Sequence, residues 1–230
     1  MTSAKASYAR WKDKIKKMWP SFKKSNVASF YRIRLDREVG IGTEGIFIEA
    51  FASSAPNYVI RNCYFHDHRA RGVRLMAGHG LVESNRFERI KGVAVSIGPE
   101  HAFWKESGWV HDLVVRDNVI RNVGAGGYTL GAISVFSHVV PRGVQTTYYQ
   151  GNRDLLIVGN NIEGCSRDGI NISAARDVRI EGNTLSMVNQ DEPSGEENQY
   201  GLRSGEPVTV QYSSAVTFKE NRVVDTPLSK

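Results

Sequence analysis

Two cysteines in 230 residues are too few for a disulfide framework, and seven prolines leave few fixed breaks in the chain. No apolar run approaches the roughly 20 residues of a membrane span. The first residues also lack the apolar stretch of a secretory leader. The chain as given is therefore expected to be soluble, and an extracellular or periplasmic setting would need a leader outside it. A basic main domain is missing as well. Residues 1–24 hold eight Lys and Arg residues against Asp13, or +7, while the whole chain is +6, so residues 25–230 sum to −1. The high isoelectric point reports a tail, and nucleic acid is not an expected partner.

In that tail, Trp11, Ile15, Met18 and Phe22 recur at three- and four-residue steps between lysines. This is the spacing of one apolar helix stripe, which Pro20 would end near Trp19. Such a segment suits a membrane-surface or nucleic-acid arm, or a cap on the open end of a repeat fold; the cap is the favoured reading. The expected organisation is a basic amphipathic tail or cap over 1–26, lead-in strands over 27–56 and a repeat domain over 57–226.

What the chain has in quantity is glycine, 22 residues, and self-similarity. One pattern recurs: an apolar residue, two variable residues, usually Asn, a variable residue and another apolar residue. It occurs as Ile60–Phe65, Val82–Phe87, Val115–Ile120, Ile157–Ile162, Ile180–Leu185 and Phe218–Val223. The slot before the last variable residue holds Cys63, Asn85, Asn118, Asn160, Asn183 and Asn221, at steps of 22, 33, 42, 23 and 38. A 22–23-residue unit suits one coil of three short strands and three turns. Asn at a fixed turn can take the left-handed conformation and hydrogen-bond its equivalents in neighbouring coils. A further strand follows each pattern, read as Val73–Leu75, Val93–Val95, Ile133–Val135, Ile170–Ile172 and Val208–Val210. Its outer residues are apolar and would stack inside, leaving Arg74, Ala94, Ser134, Asn171 and Thr209 as an outward row. One coil cannot bury its apolar face, but six stacked coils can. The expected fold is all-β, a right-handed parallel β-helix of about six coils. Cys63 and Cys165 would then lie three coils, or about 14 Å, apart, so both are expected as buried thiols.

Long insertions in a solenoid mark its working face. The insertions Gly98 to His111 and Ser137 to Arg153 leave from the same turn and are expected to be neighbours. The insertion Met187 to Glu206 is polar and reads as a solvent loop. The first insertion carries Glu100, Phe103, Trp104, Glu106 and Trp109. Paired carboxyls serve glycoside cleavage as general acid and base, and aromatic rings stack against sugar C–H faces. Glu100 and Glu106 are therefore the catalytic candidates, with Trp104 and Trp109 as binding surfaces, against the plainer possibility of a packed loop with solvated glutamates. The turn His66-Asp67-His68-Arg69-Ala70-Arg71-Gly72 supplies Arg69 and Arg71 beside Arg74, able to grip hydroxyls or a carboxylate. His66 and His68 lack a third ligand in view, so no metal and no cofactor is expected. Ser134, His138 and Asn171 complete the expected binding surface, and Asp168 could also face it.

The coils resemble the pectin-lyase-like superfamily of parallel β-helices. Within it, NCYFHDHRARGVRL followed by PEHAFWKESG resembles the α-1,3-galactosidase-type, blood-group-B-cleaving glycosidases and their relatives, over roughly residues 27–225. FYRIRLDREVGIG resembles the small antiparallel segment that precedes the coils there. The resemblance implies an inverting, metal-independent glycosidase acting on oligo- or polysaccharide, with acidic residues on the coil face. Glu100 takes the place of an acidic pair whose other member is here Pro99, Glu106 matches the glutamate of the tryptophan loop, and Arg69 and Arg71 match the arginine turn. A further acid expected near Phe136-Ser137 is absent. Two other classes stay open: a polysaccharide lyase or epimerase using Arg69, Arg71, Arg74 or His138, and a non-catalytic glycan-binding module.

Overall fold

Five repeats fold as coils of three short strands, and the sixth contributes two among the described residues, because their apolar residues alternate with polar ones and only stacking closes the apolar side. In a computed structural model describing residues 3–5, 13, 31–34, 54–99, 108–126, 130–137, 148–191, 203 and 205–224, the coils form three parallel sheets of six, six and five strands. The first sheet runs Tyr58–Arg61, Gly80–Glu83, His111–Arg116, Asn152–Val158, Ala175–Glu181 and Ser214–Lys219. The second runs Tyr64–His66, Arg86–Glu88, Val119–Val123, Asn161–Cys165, Thr184–Ser186 and Arg222–Val224. The third runs Val73–Leu75, Val95–Ile97, Ile133–Val135, Ile170–Ser173 and Val208–Gln211. The protein is a parallel β-helix, and coils 1 to 6 are numbered in that order.

The register follows the repeat. Ile60, Val82, Val115, Ile157, Ile180 and Phe218 align across the first sheet. Phe65, Phe87, Ile120, Ile162, Leu185 and Val223 align across the second. Apart from Phe218 and Val223 in the last coil, these rows form one apolar column with Val95, Ile97, Ile133, Val135, Ile170 and Ile172 from the third, partly buried at Ile60 and Phe65 and fully buried from Val82 to Leu185. Between the first two sheets stands an amide ladder. Each backbone N–H of Cys63, Asn85, Asn118, Asn160 and Asn183 donates to the Oδ1 of the next Asn at 2.9–3.1 Å. Each Nδ2 from Asn85 to Asn183 donates to that same oxygen at 2.9–3.0 Å. Each also donates to a first-sheet carbonyl of the preceding coil, as Asn118 does to Val82 O at 3.0 Å.

The left-handed residue at this corner is not the ladder Asn but the one before it: Asn62, Ser84, Asp117, Gly159, Gly182 and Glu220 all have φ between 53° and 64°. The ladder Asn keeps an ordinary backbone because its side chain must turn inward to meet its neighbours. Two more left-handed rows mark the other corners. One is Asn57, His79, Asp112, Asp154, Asp177 and Ala215; the other is Asp67, Arg89, Asn122, Gly164 and Met187. Asn, Asp and Gly dominate because they adopt this conformation at least cost.

The third sheet corrects one reading. Coil 2 contributes Val95–Ile97, not Val93–Val95, so Ser96 rather than Ala94 aligns between Arg74 and Ser134. The run Val93-Ala94-Val95-Ser96-Ile97 fits either frame by alternation, and the 22-residue spacing from Val73 settles it. Val93 instead joins Leu130 and Phe136 in a second small buried cluster. A second correction concerns the thiols. Both are free, but Cys63 is exposed and only Cys165 is buried. Burial pushes the Cys165 thiol up to about 12.

The chain divides into two compact units, one of residues 1–48 with 141–144 and the other the remainder. In the first, Ser3–Lys5 pairs antiparallel with Tyr31–Ile33. The amphipathic stripe of the tail lies outside the described residues, of which only Asp13 falls in that segment. Among the described residues no helix is long and apolar enough to cross a membrane.

Candidate functional site

The outer face of the third sheet is polar by register: Arg74, Ser96, Ser134, Asn171 and Thr209 occupy one row, pointing away from the apolar column. The structure thus places the expected Arg74, Ser134 and Asn171 in line. The row is not open as expected, however. Ser96 and Ser134 are 0% exposed and Asn171 1%. Ser134 Oγ donates to Gly131 O at 2.9 Å. Arg74 is half-buried, donates to Ser96 Oγ at 3.4 Å and Gly98 O at 3.3 Å, and lies 5.7 Å above the Phe136 ring.

Arg74 also explains where the first insertion starts and ends. Gly98 N–H donates to Leu75 O at 2.9 Å. A Cβ at Gly98 (φ 113°) would come within 2.1 Å of Phe136 O, and one at Gly108 (φ 151°) within 1.7 Å of Met76 O. Arg74 Nε in turn reaches Met76 Sδ at 3.4 Å. Both ends of the segment bearing the two glutamates are therefore held against the residues around Arg74, by glycines that no other residue could replace without moving the strand. Glu100, Trp104, Glu106 and His138 themselves lie outside the described residues.

The two insertions meet, as their common turn implies. Trp109 and Tyr149 contact edge-to-face with centroids 5.0 Å apart. Asn152 ties their stems together, accepting from Val110 N–H at 3.1 Å and donating to Phe136 O at 3.2 Å. Farther along, Tyr148 stacks on Tyr212 at 3.5 Å, and Gln150 bonds Tyr212 O and Ser214 Oγ. An aromatic wall thus runs along the turn between the third and first sheets.

Arg69 and Arg71 stand on the opposite edge of the third sheet. Arg69 lines a shallow groove of about 570 Å³ with Asp67, His68, Arg89 and Lys91. Here Arg89 chelates Asp67 at 2.8 and 2.9 Å, and His66 Nδ1 lies 2.6 Å from the same carboxylate. The Arg89 hydrogen bonds hold the Asp67 carboxyl well below the usual carboxylate range. The arginine turn and the aromatic wall are therefore separate surfaces.

Asp168 is the group that the sequence placed loosely. It is 0% exposed. It accepts from Gly205 N–H at 2.9 Å and Asn171 Nδ2 at 3.1 Å. Burial raises its pKa above the ordinary carboxylate value. Among the described residues, Asn171 Oδ1 has no hydrogen-bond partner. The bond from Gly205 also shows that the third insertion returns onto coil 4, which its polar composition did not reveal.

No family model matches the chain. The chain is similar to two curated proteins, each named alpha-1,3-galactosidase B. That of Bacteroides thetaiotaomicron is 35% identical over 101 residues, 44% of this chain and 16% of that protein. That of Akkermansia muciniphila is 32% identical over 110 residues, 46% of this chain and 14% of that protein. The chain therefore spans only a small part of the length of these relatives.

Proposed function

We propose that this chain serves a carbohydrate-active protein, as a glycoside hydrolase of the inverting, α-galactosidase-like kind. The observation that carries this reading is the similarity to the two galactosidases. The pinning of Gly98 and Gly108, the two described ends of the first insertion, against residues around Arg74 and next to an aromatic wall supports it. In this reading Glu100 and Glu106 act as the acid and base pair, in either order. The acid protonates the glycosidic oxygen, while the base takes a proton from a water that attacks the anomeric carbon on the opposite face. Trp109 and Trp104 offer apolar faces to the sugar ring. Arg74 is the coil-face group that would reach the sugar, His138 is assigned to the same binding surface, Ser134 and Asn171 support the face from beneath, and Arg69 and Arg71 provide an outlying contact surface.

The test is a product assay by NMR on the purified protein with α-galactosides, neutral oligosaccharides, pectate and alginate. The expected result is a free sugar with inverted anomer, and a drop in kcat of about 100-fold or more in Glu100→Gln and in Glu106→Gln. Full activity in both variants would refute the assignment. Unsaturated products would instead identify a lyase. One observation favours a second reading: the polar row Ser96, Ser134 and Asn171 is closed to solvent. Sugar binding without turnover on any substrate would establish a glycan-binding module.

A further inference from the structure

The turn between the third and first sheets carries a second group of side chains, which the glycosidase reading does not use. His79 ends the corner before coil 2, and His111 with Asp112 forms the corner where the first insertion rejoins coil 3. His79 N–H donates to His111 O at 2.8 Å, so the two corners are adjacent rungs. His79 and Asp112 hold successive positions of one left-handed row, with φ of 55° and 51°. Their side chains converge. His111 Nδ1 lies 2.8 Å from Asp112 Oδ2, and His79 Nδ1 lies 3.4 Å from the same oxygen. The two imidazoles meet edge-to-face at 4.8 Å. A Cβ at Gly78 would come within 2.6 Å of the His111 ring, so the bare Cα at Gly78 is what seats that ring.

We propose that His79, His111 and Asp112 form a binding site for a divalent transition-metal ion, with zinc the best fit. Two imidazoles and one carboxylate are a donor set for zinc or its neighbours, whereas calcium and magnesium call for oxygen. Zinc bonds of about 2.0–2.2 Å put neighbouring donor atoms about 3–3.5 Å apart. The His79–Asp112 pair at 3.4 Å falls within that spacing, and the His111–Asp112 pair at 2.8 Å lies just below it. A donor atom from each of the three residues lies within 4.8 Å of the others. The ion would keep open positions toward water, since the His79 and Asp112 side chains are 44% and 53% exposed, while His111, at 15%, anchors the site. Arg153 aligns with His111 across the sheet, and its charge is balanced by Asp154 at 3.4 Å. At the rival His66-Asp67-His68 turn the carboxylate is already chelated by Arg89.

The ion joins two coils. It ties the stem at which the first insertion returns, Gly108 to His111, to the corner of the coil before it.

The experiment uses tag-free, chelator-treated protein, titrated with zinc by calorimetry and with cobalt by visible absorption. One ion per chain is expected, with the cobalt spectrum of a nitrogen- and oxygen-ligated site. His79→Gln and Asp112→Asn should each weaken binding by at least about tenfold with an unchanged circular dichroism spectrum. The double variant His66→Gln/His68→Gln should bind as the parent does. No saturable one-to-one binding by the parent, or binding that survives both His79→Gln and Asp112→Asn, would overturn the proposal. A loss confined to the His66/His68 variant would overturn it too. The readout is metal binding, so the result stands apart from any glycosidase assay.

Discussion

At Asp168 a carboxyl is enclosed beside an amide oxygen, Asn171 Oδ1, that has no donor among the described residues. The two facts fit together chemically. With its pKa raised by burial, Asp168 holds a proton to higher pH than a free carboxyl, whose pKa is about 3.9. A flip of the Asn171 amide would let that proton satisfy the orphan oxygen. The sign of the pH dependence follows. A carboxyl whose folded pKa lies above its unfolded value contributes stability that is fully present below the unfolded value and is lost as the pH rises through the folded one. Unfolding midpoints in urea should therefore fall for the parent as the pH rises from about 4. Asp168→Asn, which cannot ionise and can pair with Asn171 in the flipped orientation, should lack that part of the slope. Parallel curves for the two proteins would show that Asp168 is ionised throughout and held by its donors alone.

Among the elements, the amide ladder supplies specificity that alternating apolar residues cannot. A strand slipped by two residues keeps its apolar face, but it breaks every Asn contact above and below. Asn118 is an interior rung, 0% exposed. Truncating it to Ala leaves the Asn85 N–H without its acceptor, at about 1–3 kcal/mol for a buried group, and removes the amide bonds from Asn85 Nδ2 and to Val82 O as well. Asn118→Ala should thus lower unfolding free energy by about 2–4 kcal/mol. Asn221→Ala, at the partly buried last rung, should cost less, and equal costs in denaturant titrations would argue against the ladder as a register device. The ladder was readable from the sequence because Asn recurs in a fixed slot between fixed apolar positions, and the first two sheets align as that spacing implies. The third sheet was less legible: Val93 to Ile97 alternates in both frames, and only the distance from Val73 separates them. The candidate site was least legible. Alternation shows that Ser134 and Asn171 leave the core, but not that they are covered, since burial there depends on chain brought in from elsewhere. The group His79, His111 and Asp112 gave no signal along the sequence because a 32-residue step separates its members, and only the register of coils 2 and 3 joins them.

In the whole solenoid each coil touches only its neighbours, so stability is a sum of rungs and interfaces and need not be uniform. The middle coils have both faces covered: Val115, Ile120, Ile157 and Ile162 are at most 1% exposed. In coil 6, Phe218 and Val223 hold the same register positions but are 55% and 50% exposed. Half-exposure of such side chains forfeits roughly 1 kcal/mol each of the transfer free energy that full burial provides. The amide ladder does not compensate, because Asn221 has no following Asn oxygen among the described residues to receive its Nδ2. Opening of coil 6 is therefore cheaper than opening of coil 3 or coil 4. Hydrogen exchange read by mass spectrometry on this chain should show Ser214–Lys219 and Arg222–Val224 exchanging first, with His111–Arg116 and Asn152–Val158 protected longest. Bound zinc at His79, His111 and Asp112 should deepen the protection of His111–Arg116 and leave coil 6 unchanged, because a one-dimensional stack transmits little stabilisation across three interfaces. Equal protection in all six coils would mean that the solenoid opens as one cooperative unit, and a metal at one corner would then slow exchange everywhere.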